Sequence, residues 1–229
     1  RVHKTDSWGA NFTLEWRLNN DMTLTSISGY KDLERFHGWD SDGPMNLIEG
    51  TMDTENAIVS QEVNLSIQHG DAYWISGVFY VNEETKQNNS FDLFRDFRVI
   101  PELAGNAAEF FYDNLLENSA TAIYSQLDYQ LHENTTITAG LRYTDESTKY
   151  HAHTDLDTVY GLIPNLWDIN GKVADDEWSG KLAVTQKLHS NNSIYASYTR
   201  GYKSGGYNAG YSTSELQALD SEYQAEKLN

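Results

Sequence analysis

The sequence predicts an all-β chain: an antiparallel, up-and-down transmembrane β-barrel segment of about eight strands from a larger barrel. Three observations carry that expectation. Apolar and polar residues alternate with period two over long runs, tight turns alternate with long connections, and aromatic residues gather at two levels of the strands. The composition permits it. Only 39% of the 229 residues are hydrophobic and the mean hydropathy is −0.62. No stretch therefore approaches the roughly 20 apolar residues of a spanning helix. A transmembrane strand shows only every second residue to lipid and needs no such stretch.

The strands pair off around four short turns. At "LNNDM" (residues 18–22), Trp8, Ala10, Phe12, Leu14, Trp16 and Leu18 share one face, against Asn11, Thr13, Glu15 and Arg17 on the other. The partner run puts Leu24, Ser26, Ser28 and Tyr30 together. Before "HGDA" (69–72), Val59, Val63, Leu65 and Ile67 alternate with Ser60, Glu62, Asn64 and Ser66. The run that follows is apolar on both faces from Trp74 to Val81, so its orientation stays open. Around "HENT" (132–135), Ile123, Leu127, Tyr129 and Leu131 lead into Ile137, Ala139, Leu141 and Tyr143. Before "HSNN" (189–192), Trp178, Gly180, Leu182, Val184 and Leu188 share a face.

The connections between hairpins, about residues 36–57, 87–118, 151–175 and 204–225, are expected to be long loops. Each is about 20–30 residues, far beyond the usual connection. Short turns at one end and long excursions at the other match periplasmic turns and extracellular loops. Trp16, Tyr73, Trp74, Tyr129 and Tyr195 lie near the short turns, and Trp8, Tyr30, Tyr80, Tyr143, Trp178 and Tyr202 near the far end. From Trp8 to Trp16 the strand rises about 26 Å at ~3.3 Å per residue. Strand tilt reduces this to about 20 Å of height, close to an outer-membrane apolar band.

Charge and chemistry narrow the function. The net charge is −18 and the pI about 4.6, a field that repels phosphates and excludes nucleic acid as a partner. There is no cysteine, hence no disulfide and no thiolate metal site. No Ser/His/Asp set sits on a recognisable elbow, and "GYKSGG" (201–206) is followed by no helix, so neither catalysis nor a cofactor is expected. Its glycines should instead let the strand leave the sheet for a mobile loop. "HAHTDLD" offers His151, His153, Asp155 and Asp157 on one side at strand spacing, a weak metal candidate expected to lie in a solvated loop. "DSDG" (40–43) resembles the front of a calcium loop without its bidentate Glu. Residues 36–57 hold Asp40, Asp42, Glu49, Asp53 and Glu55, which are expected to be hydrated or to bridge lipopolysaccharide phosphates through divalent cations. Glu62, Arg142 and Lys181 occupy the polar face of their strands and are the lumen-facing candidates for ligand passage.

Five stretches in order carry a resemblance: "MTLTSISGYKD" (22–32), "SQEVNLS" (60–66), "WISGVFYVNEE" (74–84), "TITAGLRYTDE" (136–146) and "IYASYTRGYKSGGYN" (194–208). They resemble strands of a TonB-dependent outer-membrane receptor, and "EKLN" (226–229) resembles the start of the next strand. The resemblance implies a Gram-negative outer membrane, uptake of a scarce ligand, and an inner-membrane TonB complex as energy source. Ferric siderophore is its commonest ligand class; heme, cobalamin and oligosaccharide are others. The acidic loops disfavour a strongly anionic ferric complex.

The chain begins at Arg1 without a leader-like stretch and ends at "AEKLN", so it reads as a piece of a longer protein. Residues 1–229 are accordingly expected to form a partial barrel, with plug domain, TonB box and C-terminal strands absent. Two other readings compete. One is a complete small eight-stranded outer-membrane barrel with a structural or adhesive role; the other is a soluble carbohydrate-binding β-sandwich.

Overall fold

Period-two alternation becomes eight long antiparallel strands in the computed structural model, which describes residues 2–41, 43–189, 192–212 and 214–228. They are β1 (Val2–Arg17), β2 (Met22–Asp40), β3 (Ile48–His69), β4 (Ala72–Leu93), β5 (Ala108–His132), β6 (Thr135–Thr158), β7 (Gly161–His189) and β8 (Asn192–Lys203). After β8 come β9 (Gly206–Tyr207), the short helix α1 (Glu215–Leu219), β10 (Glu222–Tyr223) and β11 (Glu226–Leu228). Sequential long strands are neighbours throughout, in the order β1-β2-β3-β4-β5-β6-β7-β8-β11; β9 and β10 pair with each other in a separate two-stranded sheet. No helix among the described residues is long and apolar enough to cross a membrane.

The turns at one end are tight. Asn19 Oδ1 accepts from the Asp21 amide at 2.9 Å, and Leu18 N–H donates to Met22 O at 2.9 Å. Between β3 and β4 only Gly70 and Asp71 intervene, and Gly70 takes φ 56°, the left-handed conformation such hairpins require. The β5–β6 turn is residues 133–134. Of the fourth turn, Ser190 and Asn191 lie outside the described residues, as does Asp42 of the "DSDG" stretch.

Registers assign the faces. Trp16 lies opposite Leu24, Leu24 opposite Leu65, Ile67 opposite Trp74, Trp74 opposite Leu127, and Leu127 opposite Ala139. This apolar face is exposed along its whole width, from Phe12 and Leu14 to Ile123, Leu141 and Leu182. Lipid is the solvent that suits it. Its few polar groups partner one another. Ser28 Oγ donates to Gln61 Oε1 at 2.5 Å, Gln61 Nε2 to Ser26 Oγ at 3.0 Å, and Trp74 Nε1 to Ser125 Oγ at 2.7 Å. The open question about β4 is resolved: Trp74, Ser76, Val78 and Tyr80 share the apolar face, and Gly77 and Phe79 the polar one.

An upper aromatic row caps the apolar face, where Trp8 packs on Tyr30 at 4.9 Å and Tyr143 on Trp178 at 5.0 Å between ring centroids. Tyr73, Tyr195 and Tyr202 do not join the two rows. Tyr73 lies opposite Asp128 and Tyr195 opposite Thr185, both on the polar face. Tyr202 bonds to Thr144 and Glu146 on that same face.

Three of the four expected long loops are mostly strand. The ladder runs up to Asp40–Glu49 between β2 and β3 and up to Leu93–Ala108 between β4 and β5, leaving only residues 41–47 and 94–107 as connections. Between β6 and β7 only Val159 and Tyr160 remain. Above the membrane both faces are wet, so alternation vanishes. The backbone hydrogen bonds of an extending ladder still favour strand there.

Candidate functional site

Glu62, Arg142 and Lys181 all lie on the polar face of the sheet. Glu62 of β3 sits opposite Phe79, Arg142 of β6 opposite Tyr124 and Ser179, and Lys181 of β7 opposite Gly140 and Thr199. The three line one hollow of about 520 Å³, with Tyr124, Gln126 and Arg200 among its walls.

Gly77 of β4 is what brings β5 and β3 together there. The Tyr124 hydroxyl crosses above it to donate to Glu62 Oε1 at 2.5 Å, and Asn64 Nδ2 donates to the same oxygen at 3.1 Å. A Cβ on Gly77 would lie 2.7 Å from the Tyr124 hydroxyl and 2.8 Å from Asn64 Cβ. Arg142 donates from Nε to Thr144 Oγ1 at 3.1 Å and holds its guanidinium 5.4 Å from the Phe79 ring centre. Neither Arg142 nor Lys181 makes an ion pair among the described residues. Arg200, by contrast, is neutralised by Glu177 at 2.5 Å, which also receives Lys227 at 2.5 Å. The hollow thus gathers Arg142 and Lys181 beside the Glu62 carboxylate in a chain of net charge −18.

Tyr124 and Glu177 escaped the sequence reading, which named Asn64 only as one of the polar residues of its strand. Parity alone could have placed Tyr124 on the polar face, but its reach depends on a glycine in the neighbouring strand.

The histidine candidates lie elsewhere. His151, His153, Asp155 and Asp157 belong to β6, not to a loop, and share the outward face with Leu141 and Tyr143 above the aromatic row. His151 Nε2 meets Asp168 Oδ1 of β7 at 2.9 Å, while His153 meets Asp155 at 3.0 Å and Asp168 at 3.9 Å. Asp157 lies opposite Glu109 and Leu162 instead. The imidazoles pair with carboxylates, and both meet Asp168. No group of three or more His, Asp or Glu among the described residues is arranged to hold a metal.

Near the outward rim, residues 94–107 cover a charged knot. Asp92, only 2% exposed, accepts from Arg95 Nε at 3.0 Å and Arg98 Nη1 at 2.9 Å, and Arg95 also pairs with Glu49. Asp92 raises the pKa of the Arg98 guanidinium. Burial, then Asp92, holds the Glu109 carboxyl above its ordinary range.

Gly201–Lys203 at the end of β8 pair with β11, and beyond Lys203 the chain turns onto the polar face. Ser204 and the Gly205 amide bond to Asp175 Oδ2 at 3.3 and 2.9 Å. The Tyr207 ring stacks on Tyr150 at 4.9 Å. Tyr211 donates to Thr51 O at 2.8 Å. The loop expected after "GYKSGG" is therefore packed. Burial pushes the Tyr112 phenol beneath it up to about 12 and raises Tyr150 and Tyr211, so all three are neutral at physiological pH.

The family described as "TonB dependent receptor-like, beta-barrel" matches residues 1–227. The chain belongs to this family. Solved receptors share the fold. The ferric yersiniabactin uptake receptor FyuA from Yersinia pestis superposes with TM-score 0.78 at 18% identity, over 98% of this chain and 32% of that one. The siderophore receptor PiuA from Acinetobacter baumannii gives 0.66 at 15% identity, over 88% and 33%. The ferric-catecholate import receptor Fiu from E. coli K12 gives 0.61 at 15% identity, over 86% and 36%. The chain therefore spans about a third of the length of each of these receptors. No functionally curated protein matches it. TonB-dependent receptors are transport proteins of the outer membrane, and the exposed apolar face of this sheet suits lipid.

Proposed function

We propose that this chain is the partial barrel, residues 1–229, of a Gram-negative outer-membrane receptor that takes up a ferric siderophore. The plug domain, the TonB box and the remaining strands belong to the full receptor beyond these residues. The inner-membrane TonB complex, acting through that plug, supplies the energy. Lipid and lipopolysaccharide surround the exterior.

The family membership over residues 1–227 carries the reading. The lumen wall supports the ligand class. Acidic loops alone argue against an anionic ferric complex, but Arg142, Lys181 and Arg200 outnumber the one carboxylate, Glu62, that lines the hollow, which favours an anion there. No bond is made or broken by the protein. Capture, then release when the plug is pulled, suffices.

The test is growth and radioiron uptake by source cells deleted for the full-length receptor, under iron restriction, with ferric siderophores supplied singly. At least one siderophore should lose its uptake in the deletion strain and regain it on complementation, and the regain should vanish without TonB. Unchanged uptake of every ferric siderophore, with lost uptake of heme or cobalamin, would move the receptor to another ligand class.

A further inference from the structure

Two imidazoles face each other across β1 and β2, toward the end of the sheet away from the tight turns. His3 and His37 are register partners, and their rings meet edge-on, 5.5 Å between centroids and 70° between planes. Their Nδ1 atoms are 3.4 Å apart. Thr5 Oγ1 lies 3.3 Å from Nε2, the other ring nitrogen of His3. On β3, Met52 is the register partner of His37. Met52 and Glu62 stand an even number of residues apart on that strand, so the whole row, His3, His37 and Met52, lies on the polar face. Register partners on one face have Cβ atoms about 4.5–5.5 Å apart, which puts the flexible Met52 thioether within reach of the imidazoles.

The geometry is that of two ligands rather than of a plain contact between surface histidines. The 3.4 Å separation is longer than the roughly 2.7–3.2 Å of a good N–H hydrogen bond. Two nitrogens held tetrahedrally by one metal ion, each at about 2.0–2.1 Å, stand about 3.3–3.4 Å from one another. The tautomer agrees. An Nε2–H on His3 that donates to Thr5 leaves the Nδ1 lone pair free toward His37, and metal-binding histidines are oriented by such an outer partner.

The donor set also selects the metal. Two neutral imidazoles and a thioether bring no negative charge. The described positions flanking them on the same face are Thr5 on β1, Arg35 and Trp39 on β2, and Gly50 and Thr54 on β3, with no carboxylate among them. A divalent ion would sit uncompensated near the Arg35 guanidinium. A soft monovalent ion fits better, and imidazole with thioether suits Cu(I).

We infer that His3, His37 and Met52 form a Cu(I)-binding site on the polar face, with Thr5 as the outer partner of His3. The site is distinct from the Glu62–Arg142–Lys181 hollow, because Met52 and Glu62 are ten residues apart on β3, about 33 Å at ~3.3 Å per residue. It stands on its own residues and does not depend on the ferric siderophore reading.

The test is anaerobic titration of the purified full-length receptor with Cu(I), in competition with a chromogenic Cu(I) chelator. Wild-type receptor should bind one more equivalent of copper than the His3→Ala/His37→Ala double variant. Loss of either imidazole alone should weaken that equivalent by a hundredfold or more, and Thr5→Val by roughly tenfold. The X-ray absorption spectrum of receptor loaded with one equivalent should show two nitrogen neighbours and one sulfur. Met52→Leu should remove the sulfur and keep the nitrogens. Equimolar Zn(II) should not displace the copper, and His151→Gln on the outward face should change nothing. Heat-modifiable gel mobility shows that each variant is a folded barrel. Equal copper stoichiometry in folded wild type and folded double variant would overturn the site. A spectrum without sulfur, or displacement by equimolar Zn(II), would overturn the assignment of Met52 and the choice of Cu(I).

Discussion

Adjacent residues on one strand should respond oppositely to the same change in polarity. Leu141 is 54% exposed on the outer face, one outward position below the Tyr143–Trp178 pair. It lies about 5 Å of membrane height beneath that row, from two residues at ~3.3 Å and the usual tilt. Arginine on a lipid-facing strand costs about 2–4 kcal/mol at the midplane and about 0–1 at the interface, so Leu141→Arg should cost about 2 kcal/mol. That is roughly a thirtyfold shift in the folded fraction. Arg142→Leu, one residue along, gives up a bond to Thr144 at 3.1 Å and a contact with the Phe79 ring, in a wet lumen. Its cost should be about 1 kcal/mol or less. The assay is the heat-modifiable gel shift of the full receptor in outer membranes, followed by urea titration of the vesicles. Leu141→Arg should lower assembled receptor sharply while Arg142→Leu leaves it near normal. Equal tolerance of both, or the reverse order, would refute the assignment of faces.

Other perturbations test other parts. Gly77→Val should drive the Tyr124 hydroxyl off Glu62 and cost about 1–3 kcal/mol by overpacking, read in the same urea titration. Arg95→Ala combined with Arg98→Ala strands the buried Asp92 carboxylate and should cost about 3–5 kcal/mol locally, seen as protease cleavage within residues 94–107 with the barrel intact. Glu109 is held above its ordinary 4.5, so the folded rim binds its proton more tightly than the unfolded one. Its contribution is therefore present below pH 4.5 and is lost as pH rises through the folded value. Glu109→Gln should remove that slope and protect residues 94–107 better at neutral pH, measured by hydrogen exchange from pH 4 to 8.

How much was legible depends on whether neighbours in sequence or neighbours in space decide. Trp8 to Trp16, or Ile137 to Tyr143, declares strand and face together, because lipid on one side and water on the other impose period two. Residues 151–158 of β6 declare neither, because water bathes both faces above the membrane. His151 and Asp155 then look like loop residues although the ladder continues through them. Glu62, Arg142 and Lys181 were assigned to the polar face by parity, and they lie there. Their meeting around one hollow rests on Gly77 and on the pairing of five strands, which no local pattern encodes. Tyr211 was invisible for the same reason: its partners are Thr51, Ser90, Phe91 and Tyr112, and nothing in "GYSTSELQAL" names them.

The most direct test of the central claim is radioiron uptake, as a ferric siderophore, by cells whose only receptor for that complex is the full-length protein. Energy-dependent accumulation that stops when the inner-membrane proton gradient is collapsed, with binding at the cell surface retained, is the predicted result. Accumulation indifferent to the gradient, or no specific binding of any ferric complex, would contradict the account.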